Sequence, residues 1–185
     1  MSITDSRLII TLFSLSLKSI PYEAAPPKNS AERNIMIFHV EKEPSQDTIN
    51  QIIAIAQDYT ADYFTENLPD DTRNDLQFQR VACLKCSDEI VAFIVFTCLE
   101  GCPQITLMAT KRTHAGKGYG KLLMQHFASH IADLGFNSIE VMTVLPESKP
   151  VYFATVAFYK SVGFIITDAY PFFWESGAIR LKKSW

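Results

Sequence analysis

Ile105-Thr106-Leu107-Met108-Ala109-Thr110, followed after a short polar stretch by Gly116-Lys117-Gly118-Tyr119-Gly120-Lys121, is the segment whose reading decides the fold. The first six residues have strand character. Behind the glycines, Leu123, Phe127, Ile131 and Leu134 recur at helical spacing, and Gly135 closes the run as a helix C-cap. The unit is strand, glycine loop, helix. Glycine lets the backbone turn tightly and leaves its amides uncovered, so several N–H groups can face one anion. A helix opening directly after the loop adds unpaired amides and the positive end of its dipole.

Outward from this unit, the pattern extends on both sides. Ile35 to Val40 reads as a strand, and Ser45 as the N-cap of a helix carrying Ile49, Ile52, Ile53, Ile55, Ala56, Tyr59 and Tyr63. Asn67 to Asn74 reads as a loop. Strands run from Phe78 to Lys85 and from Ile90 to Leu99, joined through Ser87-Asp88-Glu89, and Gly101 and Pro103 break the chain before the next strand. Ser138 to Leu145 is a further strand, Val151 to Val162 a short helix ended by Gly163, and Phe164–Ile166 and Ala178–Lys182 are the last strands. The order predicts an α/β (α+β) domain with a mixed sheet flanked by helices.

The 185 residues, 48% hydrophobic, suffice for one domain with a real core. A net charge of −3 offers no general attraction for nucleic acid. Residues 1 to 34 differ in composition and read as an N-terminal extension and linker, with the regular domain over 35–185. Within the extension, Leu8 to Leu17 falls short of the roughly 20 apolar residues of a membrane span. Its flanks, with Asp5 before and Lys18, Tyr22 and Glu23 after, argue against a secretory signal, so a cytoplasmic protein is expected. The extension's apolar residues could cover a sheet edge or a second copy in a homodimer.

Two constellations invite a metal. Cys83, Cys86, Cys98 and Cys102 lie close in sequence, but in apolar runs rather than polar turns, so they read as reduced core thiols. His126 and His130 share a helix face, but Phe127 stands where the zincin pattern needs Glu, so they read as surface residues. The glycine loop fits neither standard nucleotide motif. Ala115 and Leu122 occupy the Gly and hydroxyl positions of a Walker loop, and no frame completes Gly-x-Gly-x-x-Gly.

Thr110 to Leu123 resembles the acyl-CoA-binding motif of the GNAT superfamily of N-acetyltransferases, Gln/Arg-x-x-Gly-x-Gly/Ala between a strand and a helix. Gly118 and Gly120 hold its two glycine positions, and Ala115 departs from its Gln or Arg. Phe158-Tyr159-Lys160-Ser161-Val162-Gly163-Phe164 is similar to the family's Tyr-x-x-x-Gly-Phe helix end, although Tyr152 and Thr155 replace its usual Asn and Ala. The resemblance implies a mostly antiparallel GNAT-type sheet over 35–185 and acetyl-CoA as acyl donor to a primary amine, with no metal and no membrane. It implies that Ala115, Gly116, Lys117, Gly118, Tyr119, Gly120 and Lys121 cradle the pyrophosphate, and that Met108, Ala109 and Thr110 lie along the pantetheine arm. Lys111 and Arg112 could add attraction for the phosphates.

It further implies Tyr159 as the acid that protonates the departing thiolate. The general base is not legible. Glu100, Glu140 and Glu147 are candidates, and Tyr59 and Tyr63 could line the acceptor pocket or simply pack. Two other readings remain open at this level: an acyl-CoA-binding module without turnover, and a zinc-stabilised interaction protein built on the cysteines.

Overall fold

The computed structural model describes residues 21–22, 35–63 and 66–185. In chain order the elements are β1 (Pro21–Tyr22), β2 (Met36–Glu41), α1 (Gln46–Gln57), α2 (Leu68–Asp75), β3 (Arg80–Cys86), β4 (Glu89–Leu99), β5 (Cys102–Thr110), α3 (Tyr119–Asp133), β6 (Ser138–Val144), α4 (Tyr152–Ser161), β7 (Ile165–Tyr170) and β8 (Ala178–Ser184). A 3-10 turn, Arg112–His114, leads from β5 into the glycine loop. The strands form one sheet in the order β1-β2-β3-β4-β5-β6-β8-β7. Every pairing is antiparallel except β5 with β6.

The central strands are buried on both faces, which explains their unbroken apolar runs. One face packs Leu84, Ile94, Phe96 and Ile105 against Leu123, Phe127 and Ile131 of α3 and Val156 and Tyr159 of α4. The other packs Val81, Cys83, Phe93 and Val95 against Ile52 and Ile55 of α1 and Leu76 beyond α2. Each such side chain, fully removed from water, contributes about 1.5–3 kcal/mol, so these two layers supply the main driving force for folding.

Local chemistry starts α1 where the sequence placed it. Ser45 accepts the Thr48 amide at 3.1 Å, and Glu41 accepts both the Ser45 amide at 3.0 Å and the Lys85 ammonium at 3.0 Å. Burial alone would raise the Glu41 carboxyl, but these partners together hold it below its ordinary range.

Four local expectations change. Residues 68–75 are a helix rather than a loop: Pro69 stands in the first turn with Asp70 and Asp71, all helix-start residues, but only Thr72 is buried, so no apolar stripe marks it. Pro103 lies inside β5, where it faces Cys98 across the ladder rather than breaking the strand. Tyr59 and Tyr63 fall beyond α1, whose C-cap is Asp58. Leu134, expected on the buried face of α3, is the C-cap and is 51% exposed. Of the proposed extension, Pro21–Tyr22 runs antiparallel to Ile37 and Met36 at the edge of β2. The rest of it, including Leu8 to Leu17, lies outside the described residues.

Candidate active site

The site begins with one extra residue. Leu107 faces Val95 and Ile105 faces Phe96 across the β4–β5 ladder, so Thr106 has no opposite number and forms a β-bulge. Its hydroxyl shares one proton between the Val95 carbonyl at 3.2 Å and the Gln79 side-chain oxygen. The bulge resets the alternation of the strand. Ile105 and Met108 pack on the α3–α4 side, whereas Leu107 and Ala109 pack on the α1 side. A bulge also bends the strand that carries it, and β5 leaves β6 at this point. The two pair only at Gln104 with Glu140 and Ile105 with Val141.

Beyond that pairing the sheet is split. A cavity of about 550 Å³ fills the wedge, walled by Ile105 to Thr110 on one side and Val141 to Thr143 on the other. At its α3 end lie Ala115, Gly116, Gly118, Tyr119, Gly120 and Lys121. Gly116 and Gly118 have φ of 74° and 88°, the left-handed region that a side chain disfavours. Gly120 is required for a different reason. A Cβ there would lie 3.2 Å from the Thr110 hydroxyl, 3.5 Å from Phe158 and 3.6 Å from Met108, because α3 starts against β5. Gly118 is the N-cap and no side chain caps the helix, so the first-turn amides face the cavity end without a side-chain acceptor.

A tyrosine wall also lines the cavity. Tyr59 donates its hydroxyl to the Thr110 carbonyl at 2.6 Å, and Tyr152 donates to the Tyr63 carbonyl at 2.5 Å. The Tyr59 and Tyr63 rings meet edge to face at 6.0 Å, and Tyr63 and Tyr152 at 5.6 Å. Arg112 stacks over Tyr59 at 4.4 Å while donating to the Asp58 carbonyl and the Asp62 carboxylate. Burial raises the Tyr59 phenol despite that guanidinium, and raises Tyr152 with help from Tyr63.

Tyr159 stands deep in the wedge, 5% exposed, between Phe158 and Phe164 with ring centroids at 5.4 and 5.3 Å. Burial pushes its phenol far above the ordinary value, so it keeps its proton across the neutral range.

The structure thus brings Met108, Ala109, Thr110, Ala115, Gly116, Gly118, Tyr119, Gly120, Lys121 and Tyr159 to one cavity. Lys117 is exposed and does not line it. The cations Lys111 and Arg112 are already engaged, by Glu89 and Asp62. Among the described residues no carboxylate lines the cavity. Glu140 is held by Lys182 at 3.0 Å, Glu100 sits in the β4–β5 turn with φ 51°, and Glu147 is exposed in the loop after β6.

The cysteines also move apart. Cys86 faces Glu89 at one end of β4 and Cys98 faces Pro103 at the other, roughly 30 Å away along an extended strand. Only Cys83 is a core thiol, its pKa pushed up to about 12 by burial, and Cys98 is exposed. His126 and His130 are half-buried rather than on the surface; His126 stacks on Phe38 at 5.4 Å, and His130 meets the same ring tilted by 58° at 6.2 Å. The sequence offers Tyr59 and Tyr63 either as pocket residues or as packing, and both line the cavity; what it misses is Tyr152, which completes the wall. The wall's one local hint is that Tyr59 and Tyr63 continue the spacing of α1.

Comparison with known proteins gives three findings. Residues 78–166 match the family model for an acetyltransferase (GNAT) domain. A crystal structure of a putative GNAT-family acetyltransferase from Desulfovibrio desulfuricans superposes with a TM-score of 0.67 at 13% identity, covering 80% of this chain and 98% of that one. The Escherichia coli ribosomal-protein-S18-alanine N-acetyltransferase superposes at 0.60 with 14% identity, over 80% and 93%. The paiA N-acetyltransferase of Thermoplasma acidophilum, solved with coenzyme A, superposes at 0.58 with 14% identity, over 80% and 99%. These structural likenesses establish the GNAT fold. No curated protein matches the chain in sequence.

Proposed function

We propose, from the premise that residues 78–166 of this chain form a GNAT acetyltransferase domain, that it transfers the acetyl group of acetyl-CoA directly to a primary amine. The observation that carries the reading is the wedge between β5 and β6, lined by both the uncapped start of α3 and a tyrosine wall. Residues 35–185 are the catalytic domain in this reading, and 1–34 an extension. The superposed structures cover 80% of the chain, in keeping with that division.

In the proposed complex the pyrophosphate rests on the amides of Gly116 to Lys121. Each charge–dipole contact is worth about 0.3–1 kcal/mol, so the convergence of loop and helix N-terminus matters more than any one group. The main chain of Met108 to Thr110, which β6 leaves unpaired, bonds the amides of the pantetheine arm. This sets the thioester across the deep part of the wedge, near Tyr159.

The amine nitrogen then attacks the thioester carbon. A C–N bond forms, the C–S bond breaks, the amine loses a proton and the sulfur gains one. A lysine-like amine has pKa about 10.4, so freeing its lone pair near neutrality costs roughly 4–5 kcal/mol and is the larger demand. With no carboxylate in the described lining, water relays this proton outward. Tyr159 holds its proton by burial and donates it to the thiolate, whose own basicity the same dry surroundings raise.

The free cysteines and the lack, among the described residues, of a helix long and apolar enough to cross a membrane are in keeping with a cytoplasmic setting. Calorimetry with acetyl-CoA tests the first half of the reading, and thiol release with an amine panel the second. Absence of binding at millimolar acetyl-CoA would sink it. Binding without turnover of any amine would instead favour a CoA-binding module.

A further inference from the structure

Resting on that reading, we infer that the acceptor is a monoamine carried on an aromatic or bulky aliphatic skeleton, and not a polycation. The tyrosine wall carries this. The hydroxyls of Tyr59 and Tyr152 are committed to main-chain carbonyls, those of Thr110 and Tyr63. What they leave toward the cavity is ring surface rather than phenol oxygen. The carbonyls are committed too. Thr110 O takes the Tyr59 hydroxyl, and Tyr63 O takes Lys149 Nζ at 3.0 Å as well as Tyr152, so both lone pairs of Tyr63 O are used.

The charges around the wall point the same way. Arg112 lies over the Tyr59 ring at 4.4 Å, and Lys149 lies 5.6 Å from the Tyr152 ring. Rings that already carry a cation are poor hosts for another, and Lys149, whose ammonium is held by a carbonyl rather than a carboxylate, repels a polyvalent amine. Asp62, the acid next to Tyr63, is paired with Arg112. An amine with several ammonium groups needs carboxylates to offset their desolvation. The described lining supplies none, and its cationic side chain is Lys121.

A second feature extends the apolar surface. The β7–β8 loop emerges beside the C-terminal end of β6, where Gly177 O accepts the Leu145 amide at 3.2 Å. That end follows Thr143 of the cavity wall. The loop carries Phe172, Phe173 and Trp174, exposed by 98%, 48% and 52%. None of the three lines the cavity itself, but large ring surfaces on a loop joined to the end of a cavity strand reward a ligand long enough to shield them from water.

The experiment measures binding of four amines to the CoA-loaded full chain by calorimetry, and turnover of the same four with acetyl-CoA. They are 2-phenylethylamine, tryptamine, spermidine and kanamycin. Both aromatic amines are expected to bind, and to exceed spermidine and kanamycin in kcat/KM by at least about tenfold. Tyr63→Phe should keep that ratio, and Tyr63→Ala should lose it through KM with acetyl-CoA affinity unchanged, which also certifies the fold of the variant. Tighter binding or faster turnover of spermidine or kanamycin overturns the inference, as does failure of both aromatic amines to bind at 10 mM. An unchanged ratio in a Tyr63→Ala variant that still binds acetyl-CoA overturns it too. Failure of the wild-type chain to bind CoA at all counts against the parent reading instead, and is seen before any amine is added.

Discussion

The two edges of β5 make opposite use of the same backbone. Toward β4 it is paired from Cys102 with Leu99 to Thr110 with Ala92, with Thr106 bulged out between. Toward β6 it is paired at Gln104 and Ile105 and then runs free beside a cavity. The closed edge builds the core. The open edge leaves main-chain donors and acceptors that must find water or a ligand. Stability and recognition are therefore separable along a single strand, and substitutions on the two sides should report different quantities.

The largest effect is expected on the closed side. Leu84, fully buried in β3, should cost about 2–5 kcal/mol as Leu84→Ala, read as a shift of the urea midpoint, while acetyl-CoA affinity stays within about twofold. Loss of affinity in a folded Leu84→Ala protein would break the separation. On the open side, Tyr159→Phe should lower kcat by about a hundredfold with little change in KM for acetyl-CoA. The same variant has a pH signature. The Tyr159 phenol is raised on folding, so its contribution to stability is whole below the ordinary phenol range and is lost as pH climbs above about 10. Melting curves of the wild type should fall more steeply there than those of Tyr159→Phe.

Next in size is Gly120→Val. Its branched side chain meets Thr110, Phe158 and Met108, and should weaken acetyl-CoA binding by about thirtyfold at a modest cost in stability. An affinity left intact would show that α3 can shift without consequence for the cavity. The smallest effect sharpens the boundary itself. Thr106→Val removes the hydroxyl shared by Val95 and Gln79, and should cost about 1 kcal/mol of stability, measured by denaturant unfolding. Because this hydroxyl holds the bulge, a KM change for acetyl-CoA should accompany that loss, which an equal loss from Leu84 would not produce.

Much of this design was legible before the structure. Strand, glycine loop and helix at 105–135 are encoded by local chemistry: β-branched and apolar runs, left-handed glycines, and a 3.6-residue period. Tyr159 and the loop residues from Ala115 to Lys121 (Lys117 apart) do gather at one cavity. Tyr59 and Tyr63 could be offered as pocket residues, but the joined wall was out of reach because it ties Tyr59 to Thr110 and Tyr63 to Tyr152, partners brought together only when the sheet is complete. The helix at 68–75 was missed because a helix that buries one threonine shows no stripe. The fate of Lys111 and Arg112 was equally hidden. A cation's availability depends on which carboxylate folds beside it, and Glu89 and Asp62 come from other elements.

The unpaired Thr106 has a last consequence, one of parity. On an ordinary strand Ile105 and Leu107 would serve the same layer, and here they serve different ones. Loss of Thr106 itself would close the ladder and leave Leu107, Met108 and Ala109 in the layers they now hold, whereas loss of one paired residue after it, with the bulge kept, would send the side chains downstream to the opposite layer. A change of two would keep each side chain in its layer and only move the glycine turn along the axis. Thr106 is thus a place where this strand absorbs an odd change of length without exchanging its layers.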